Sequence, residues 1–335
     1  MNQADSTLVS IIMTLRDAAI HLDECIQSIL AQSYSNWELL LVDDHSSDDT
    51  ALMMSRYAER DARIKVVEVK GKGIIHGLRS GYTQSKGQYI TRMDGDDRMS
   101  ADKLLTMVSL LEEKGPGHVA VGSVEYFSQG ELGEGYKAYA SWLNGLTSRS
   151  ANFKEIYKEC VIPSPCWMMR RSDFDRCGGY EEDRYPEDYD LVFRMRKHRI
   201  EVVGTEQVLH FWRDHAGRTS RHDPNYSDNT FLDIKLHYFL GEDRLSQLPL
   251  VIWGAGKKGK ALASLLVSAQ QDFIWITGNE NKVGKDIYGV KLERQTSLDS
   301  LEPAQIIIMI SSPDDRIEIE EVQSTHPQHQ YFRWV

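Results

Sequence analysis

The chain has 335 residues, of which 41% are hydrophobic and 27% charged, and its formal net charge is −11. That length suggests two domains, and the acidic balance excludes a general nucleic-acid binder, which needs a basic face. No apolar run approaches the roughly 20 residues of a membrane span, and the polar start Met1 to Thr7 leads into a strand rather than a secretory signal. The four cysteines (Cys25, Cys160, Cys166, Cys177) show no C-x-x-C spacing, as expected of buried thiols in a reducing compartment. On these features the protein is expected in the cytoplasm. The basic clusters Arg170-Arg171 and Arg194 to Arg199 leave a peripheral contact with the inner face of the membrane open.

Leu8 to Met13 is a nearly continuous apolar run rich in β-branched residues, the mark of a strand buried on both faces. Thr14 to Asp17 follows as a loop, and His21 to Gln32 has helical spacing in Leu22, Cys25, Ile26, Ile29 and Leu30. A second buried strand, Trp37 to Val42, closes on Asp43-Asp44-His45-Ser46-Ser47. Asp48-Asp49 then opens a helix through Ala62, acidic residues being favourable at a helix start. Ile64 to Val69 predicts a third strand, Ile74 to Ser85 a helix behind the turn Gly71-Lys72-Gly73, and Tyr89 to Met93 a fourth strand. This alternation predicts a mostly parallel sheet with helices on both faces.

The fourth strand delivers Asp94, Asp96 and Asp97 within four positions, with Gly95 allowing a tight bend between the first two. Like charges so crowded cost energy unless a cation or solvent neutralises them. Hard oxygen ligands on a turn suit Mg²⁺ or Mn²⁺, which keep positions open for substrate phosphates. An isolated D-x-D-D is equally a solvated acidic turn. Open α/β sheets bind ligands beyond the carboxyl ends of their strands. Thr14 to Asp17, Asp43-Asp44, Gly71 to Gly73 and Asp94 to Asp97 all fall there, so four polar loops converge on one crevice.

Three stretches carry a resemblance: Val9 to Thr14, Cys25 to Tyr34, and Trp37 to Thr50 with its Asp43-Asp44-His45-Ser46 core. Together they resemble the family 2 glycosyltransferases of the GT-A fold, over about residues 8 to 240. The resemblance implies a nucleotide-diphospho-sugar donor, expected to be a UDP-sugar. It puts Asp44 at the base, Asp94 at the ribose or diphosphate and Asp96 at a metal ion, with Thr14, Arg16, Gly73 and Arg79 on the loops around the nucleotide-sugar. Arg16 and Asp17 stand where the family commonly has an aromatic and an asparagine, and Gly77-Leu78-Arg79 replaces its A-R-N segment. Arg16 can stack on a base through its guanidinium plane instead.

Farther along, Ala101 to Glu113 predicts an amphipathic helix and Val119 to Tyr126 a strand. Ser128 to Ser150 is rich in Gly, Tyr and Ser without a clean period and is expected to be an irregular loop over the site, with Tyr136, Tyr139 and Trp142 either facing the acceptor or, the preferred reading, anchoring the loop to the core. Cys166 to Met169 is strand-like, and Gly178-Gly179-Tyr180 turns the chain toward Tyr185-Pro186-Glu187-Asp188, which opens a helix through Lys197. Acidic residues there complement the helix dipole. The resemblance gives them a further role, as an E-D motif in which Asp188 is the catalytic base and Glu187 positions the acceptor. A sugar hydroxyl is a poor nucleophile until a carboxylate within hydrogen-bond reach takes its proton. After the strand Gln207 to Trp212, the loop through Arg221 resembles the family's R-x-H-x-x-S-x-S stretch, which implies His215 as a metal ligand and Arg213 or Arg218 at the diphosphate. Thr230 to Leu240 predicts a closing helix.

Near Leu248 a second α/β piece begins. Leu250 to Trp253 predicts a strand, Gly254-Ala255-Gly256-Lys257-Lys258-Gly259 is a G-x-G-x-x-G, and Lys260 to Ser268 predicts a helix, the context of a dinucleotide-binding fingerprint. The strand Phe273 to Thr277 ends without the acidic residue that would hold a ribose; further strands are expected at Ile306 to Ile310 and Gln330 to Trp334, around a helix from Arg316 to Thr325. The piece resembles Rossmann-like modules fused behind some bacterial family 2 glycosyltransferases.

The expectation is thus a GT-A catalytic domain over residues 1–245 and a Rossmann-like domain over 246–335. The implied activity is inverting, metal-dependent hexosyl transfer from a UDP-sugar to a glycan or lipid-linked acceptor, in surface polysaccharide or lipopolysaccharide synthesis. The alternatives are an NAD(P)-dependent oxidoreductase built on the C-terminal fingerprint and a non-catalytic nucleotide- or sugar-binding protein. A homo-oligomer stays open.

Overall fold

The structure, a computed structural model, describes residues 7–128, 130–215, 217–218, 231–312 and 316–335. The chain divides into two compact units, Met1–Lys154 with Cys160–Arg218, and Glu155–Glu159 with Thr219–Val335.

The first unit begins as strands β1 (Val9–Leu15), β2 (Trp37–Asp43), β3 (Ile64–Val67) and β4 (Tyr89–Arg92), alternating with helices α1 (Ala19–Leu30), α2 (Thr50–Arg60) and α3 (Ile74–Gln84). It continues through β5 (Arg98–Met99), α4 (Lys103–Lys114), β6 (His118–Ser128), α5 (Glu134–Thr147), β7 (Trp167–Arg170), α6 (Arg171–Arg176), α7 (Glu187–Lys197) and β8 (Glu201–Asp214). Its sheet has the order β3-β2-β1-β4-β7-β6-β8-β5. The first four strands run parallel, β7 is antiparallel to β4 and β6, and β8 runs parallel to β6 but antiparallel to β5. The expected α/β class with a mostly parallel sheet is what the chain adopts.

Val9, Ile11, Ile12 and Met13 of β1 are fully buried, as a central strand covered on both faces requires. Ser10, buried in the middle of that strand, is satisfied: its Oγ donates to Glu38 Oε1 at 2.7 Å and accepts from the Gly87 N–H at 2.7 Å, and Lys65 closes the cluster on Glu38 Oε2 at 2.6 Å. Burying such groups without partners would cost about 1–3 kcal/mol each.

One expectation fails within this unit. Glu134–Thr147, inside the stretch read as irregular, is a 14-residue helix. Tyr136, Tyr139, Leu143 and Leu146 recur at steps of three and four, and that spacing outweighs the Gly and Ser content of the stretch. Tyr136, Tyr139 and Trp142 do pack against the main core, as expected.

The second unit contains α8 (Leu232–Tyr238), β9 (Leu250–Trp253), α9 (Lys257–Ser268), β10 (Ile274–Thr277), β11 (Asp286–Ile287), β12 (Val290–Arg294), β13 (Gln305–Ile308), α10 (Arg316–Thr325) and β14 (Gln330–Arg333). Its sheet order is β11-β12-β10-β9-β13-β14, parallel apart from the β11 edge. Thr230, where the closing helix was expected to start, lies outside the described residues, as do residues 1–6. Among the described residues, no helix is long and apolar enough to cross a membrane.

The crevice depends on how tightly α3 packs on β1. A Cβ on Gly77 would sit 2.2 Å from Thr14 Cγ2 and 2.7 Å from its Oγ1, distances that a short branched side chain cannot relieve. Gly77→Ala is therefore expected to destabilise the fold by about 1–3 kcal/mol, as overpacking does. Chemical denaturation checks this, and a midpoint unchanged from the wild type would contradict the packing described here.

Candidate active site

The four loops converge at the carboxyl ends of β1 to β4, and backbone bonds fix them there. Asp44 N–H donates to Leu15 O at 2.7 Å, joining the first two loops, and Gly73 N–H donates to Asp44 Oδ1 at 2.8 Å, joining the third. Asp44 is almost fully buried, so one of its carboxylate oxygens is committed to the scaffold. Asp17, with φ at 49°, accepts from Ser47 N–H at 2.7 Å and Ser47 Oγ at 3.0 Å, bonds that hold its pKa below the usual carboxylate range. Thr14 Oγ1 is buried without a hydrogen-bond partner among the described residues, and Arg16 is exposed.

The D-x-D-D turn is placed by an element too short to read from the sequence. Strand β5, two residues long, pairs Arg98 with Phe211 and Met99 with His210, which lays the turn along the end of β8. The three aspartates then take different partners. Asp97 is 2% exposed; its Oδ1 accepts from Arg213 N–H at 2.8 Å, and its Oδ2 lies 2.9 Å from His210 Nε2. Behind His210, the buried Lys103 Nζ lies 3.4 Å from Nδ1 and donates to Pro165 O. Burial, then the charges of Asp96 and Asp94, pushes the Asp97 carboxyl well up, while burial and Lys103 hold His210 far below its ordinary value. Asp97 is thus a buried anchor.

Asp96 and Asp94 remain about 30% exposed at their side chains and face the crevice. Asp96 Oδ2 lies 2.9 Å from His215 Nε2, so two of the three expected metal ligands stand side by side. Asp94, the third, pairs with Arg92 instead: Arg92 NH2 donates to its Oδ1 at 2.8 Å. Among the described residues, no three His, Cys, Asp or Glu side chains form a ready metal cage. An aspartate oxygen and an imidazole nitrogen at 2.9 Å suit the two protein ligands of a Mg²⁺ or Mn²⁺ ion that fills its remaining positions with water and phosphate oxygens. His21 packs edge-on to His215 with ring centroids 4.8 Å apart.

The cationic residues are more constrained than expected. Arg213 donates through Nε to Asp96 O at 2.7 Å, pairs with Glu24 through NH2, and lies 4.4 Å over the Phe127 ring. It braces the turn. Arg218 lies over the rings of Tyr126 and Trp212; burial works against its charge, but Tyr126 and Asp97 raise its pKa. Thr219, Ser220 and Arg221 of the same loop lie outside the described residues. Arg79 donates to Tyr180 O at 3.0 Å, Glu181 O at 2.9 Å and Asp183 Oδ1 at 2.7 Å, and so pins the segment leading to α7.

That segment presents Glu187 and Asp188 on the first turn of α7. Glu187 Oε1 accepts from Arg92 NH1 at 2.9 Å. Asp188 accepts from the Tyr189 N–H at 2.7 Å and has no cationic partner at hydrogen-bond distance among the described residues. Burial, then Glu187, pushes its pKa up to about 7, against the opposing pull of Arg92. A carboxylate so poised is suited to take a proton at neutral pH.

Arg92, His210 and Lys103 were not singled out from the sequence, and Asp97 was read there only as part of the acidic turn. Arg92 was the readable one, because a charge ending an apolar strand needs a buried partner.

Comparison with known proteins agrees with this architecture. The family model described as glycosyl transferase family 2 matches residues 10–178. EpsE of Bacillus subtilis (strain 168) is 31% identical over 232 residues, covering 67% of this chain and 80% of EpsE. The glycosyltransferase GlyG of Streptococcus pneumoniae serotype 4 is 29% identical over 224 residues, covering 64% and 74%. Among solved structures, S. aureus TarS 1-349 in complex with UDP-GlcNAc aligns with a TM-score of 0.55 at 14% identity, over 71% of this chain and 68% of that one. The mannosyltransferase PcManGT from Pyrobaculum calidifontis, in complex with GDP-Man and Mn2+, aligns with a TM-score of 0.50 at 18% identity, over 72% and 65%. At these identities the structures speak to the fold.

The raised pKa of Asp188 has a stability consequence with a definite sign. Its proton is held more tightly in the folded state, with a pKa of about 7 against an ordinary 3.8, so stability declines as pH rises from about 4 to about 7 and then levels off. Asp188→Asn removes that decline. The variant is expected to be more stable than the wild type by about 1–2 kcal/mol at pH 8, less than the ~4 kcal/mol of an unscreened three-unit shift. The gain should be smaller at pH 5. Urea melts at both pH values check this, and an equal effect at both would contradict the assignment.

Proposed function

The chain belongs to glycosyl transferase family 2, and we propose that it is an inverting transferase that moves a sugar from UDP to a hydroxyl of a glycan or lipid-linked acceptor. The observation that carries the reading is the constellation around Arg92. The same guanidinium holds Asp94 of the turn and Glu187, next to an aspartate whose pKa lies near 7.

Asp44 supports uracil over guanine. With Oδ1 occupied by Gly73 N–H, it has one oxygen left to accept a hydrogen bond. Uracil presents a single ring N–H, whereas guanine presents an N–H and an adjacent amino group that favour a carboxylate with both oxygens available. Arg16, exposed on the adjoining loop, would stack on the base through its guanidinium plane. The solved relatives are bound to UDP-GlcNAc in one case and to GDP-Man with Mn2+ in another, so both nucleotides occur on this fold.

Asp96 and His215 would hold a divalent cation, with Asp94 beside them, and the cation would offset charge building on the diphosphate as it leaves. The remaining work belongs to side chains. Glu187 orients the acceptor, and Asp188 accepts the proton of its hydroxyl. The oxygen then bonds to the anomeric carbon from the face opposite the nucleotide as the bond to the diphosphate oxygen breaks. Asp188 is poised as a base, while its neighbour Glu187 is tied to Arg92, and this supports single displacement and inversion over a covalent intermediate. Relatives bearing bacterial glycosyltransferase names support the transferase activity; a role in building surface polysaccharide or lipopolysaccharide on the inner side of the membrane is part of the same proposal.

Calorimetric titration tests the donor site without knowledge of the acceptor. UDP is expected to bind in the presence of Mn²⁺, at least tenfold more weakly with EDTA or in Asp96→Ala, and more tightly than GDP. Failure of every nucleotide to bind with the metal present would overturn the donor-site assignment.

A further inference from the structure

Arg92 is the last residue of β4, and its main chain cannot shift without disturbing the sheet. It pairs in register with Ile12 of β1, and its neighbour Thr91 is tied through Oγ1 to Trp167 O. Arg92 is 6% exposed, and its guanidinium reaches in two directions: NH2 to Asp94 Oδ1 at 2.8 Å, two residues on, and NH1 to Glu187 Oε1 at 2.9 Å, 95 residues on. Each prong of the planar fork thus engages a different carboxylate. Its Nε–H is buried without a partner among the described residues, so the arrangement is not one selected for full hydrogen-bond satisfaction.

We propose that Arg92 is a positioning residue that couples the two halves of the site, holding Asp94 and the first turn of α7 in one fixed register so that a change at either is felt at the other. The naming of those halves as donor and acceptor sides rests on the function proposed above; the coupling does not. Buried ion pairs seldom add net stability over apolar packing, because both charges must be stripped of water, and their best-attested use is to fix a register. The surroundings fit that use. Tyr180, itself buried, stands close enough to feel Arg92, Glu187 and Asp94, and the segment that follows it is pinned by Arg79, so the start of α7 is located from two directions. The carboxyl of Asp188 feels Glu187 on its own helix, Arg92 on β4 and Asp94 beyond it, so the same bridge sets the charge around the base. Lysine would conserve the charge but not the fork, since an ammonium is a point charge on a flexible stem.

Amide hydrogen exchange on the intact protein tests the coupling, read at Asp190 and Leu191 in the first turn of α7. In the ligand-free wild type, Asp94→Asn is expected to speed exchange there several-fold. In an Arg92→Lys background the same substitution should have no further effect. Should Arg92→Lys fail to fold, Glu187→Gln severs the bridge from its far end and serves as the alternative background. Equal acceleration by Asp94→Asn with and without the bridge, in variants that melt like the wild type, would overturn the proposal.

A second readout excludes a purely structural role. UDP with Mn²⁺ should slow exchange both in the Asp94–Asp97 turn and in the first turn of α7 in the wild type, but only in the turn in Arg92→Lys. Retention of both responses in Arg92→Lys would overturn the coupling. Absence of any response in the wild type would count against the donor site alone, and the ligand-free comparison would still decide the role of Arg92.

Discussion

Five carboxylates share one crevice, and the first unit is organised around the cost of keeping them together. Two unit charges about 4 Å apart interact by about 4 kcal/mol at the effective dielectric of a protein surface, so Asp94, Asp96, Asp97, Glu187 and Asp188 could not all stand charged and unpaired. Each is accommodated differently. Asp97 is buried on His210 and the Arg213 amide, Asp96 meets His215, Asp94 and Glu187 divide one guanidinium, and Asp188 has no such partner among the described residues. The chemistry follows from the inequality. Burial and Glu187 drive Asp188, which has no cationic partner among the described residues, to a pKa of about 7, as the proposed base requires, and the partly exposed pair Asp96 and His215 would be the one to accept the proposed metal.

Much of this was legible in the sequence because it is local. The run Val9 to Met13, the spacing of Leu22, Cys25, Ile26 and Ile29, and the order of polar loops after successive strands each report their own neighbourhood, and the elements stand within a few residues of where those patterns place them. The D-x-D-D and E-D motifs could be found the same way. The assignment of partners could not. Arg92 and Glu187 are 95 residues apart, and Asp97 and His210 are 113 apart. Lys103 looks like any lysine flanking an amphipathic helix until its ammonium is seen buried behind an imidazole. Arg213 and Arg218, read as diphosphate contacts, are engaged with Asp96, Glu24 and aromatic rings, because the two-residue β5 that brings the turn to them has no periodicity to detect.

The second unit shows the limit of a motif. Two of its three fingerprint glycines are required by packing alone: a Cβ on Gly254 would meet Met309 O at 2.9 Å, and one on Gly259 would meet Gly254 O at 2.1 Å. Gly256 has open space around it. A strand–loop–helix turn of this shape needs the outer glycines with or without a nucleotide, so the pattern does not support an oxidoreductase over the family that the first unit establishes.

The central claim is that Asp96 and His215 mark the donor end of one crevice whose other end is Asp188. Anomalous diffraction at the manganese edge, on crystals grown with UDP and Mn²⁺, tests it most directly. The account predicts one manganese peak within coordination distance of Asp96 and His215, with the diphosphate bound to it and uracil against Asp44. A manganese ion and nucleotide at the glycine loop of the second unit, with this crevice empty, would contradict it.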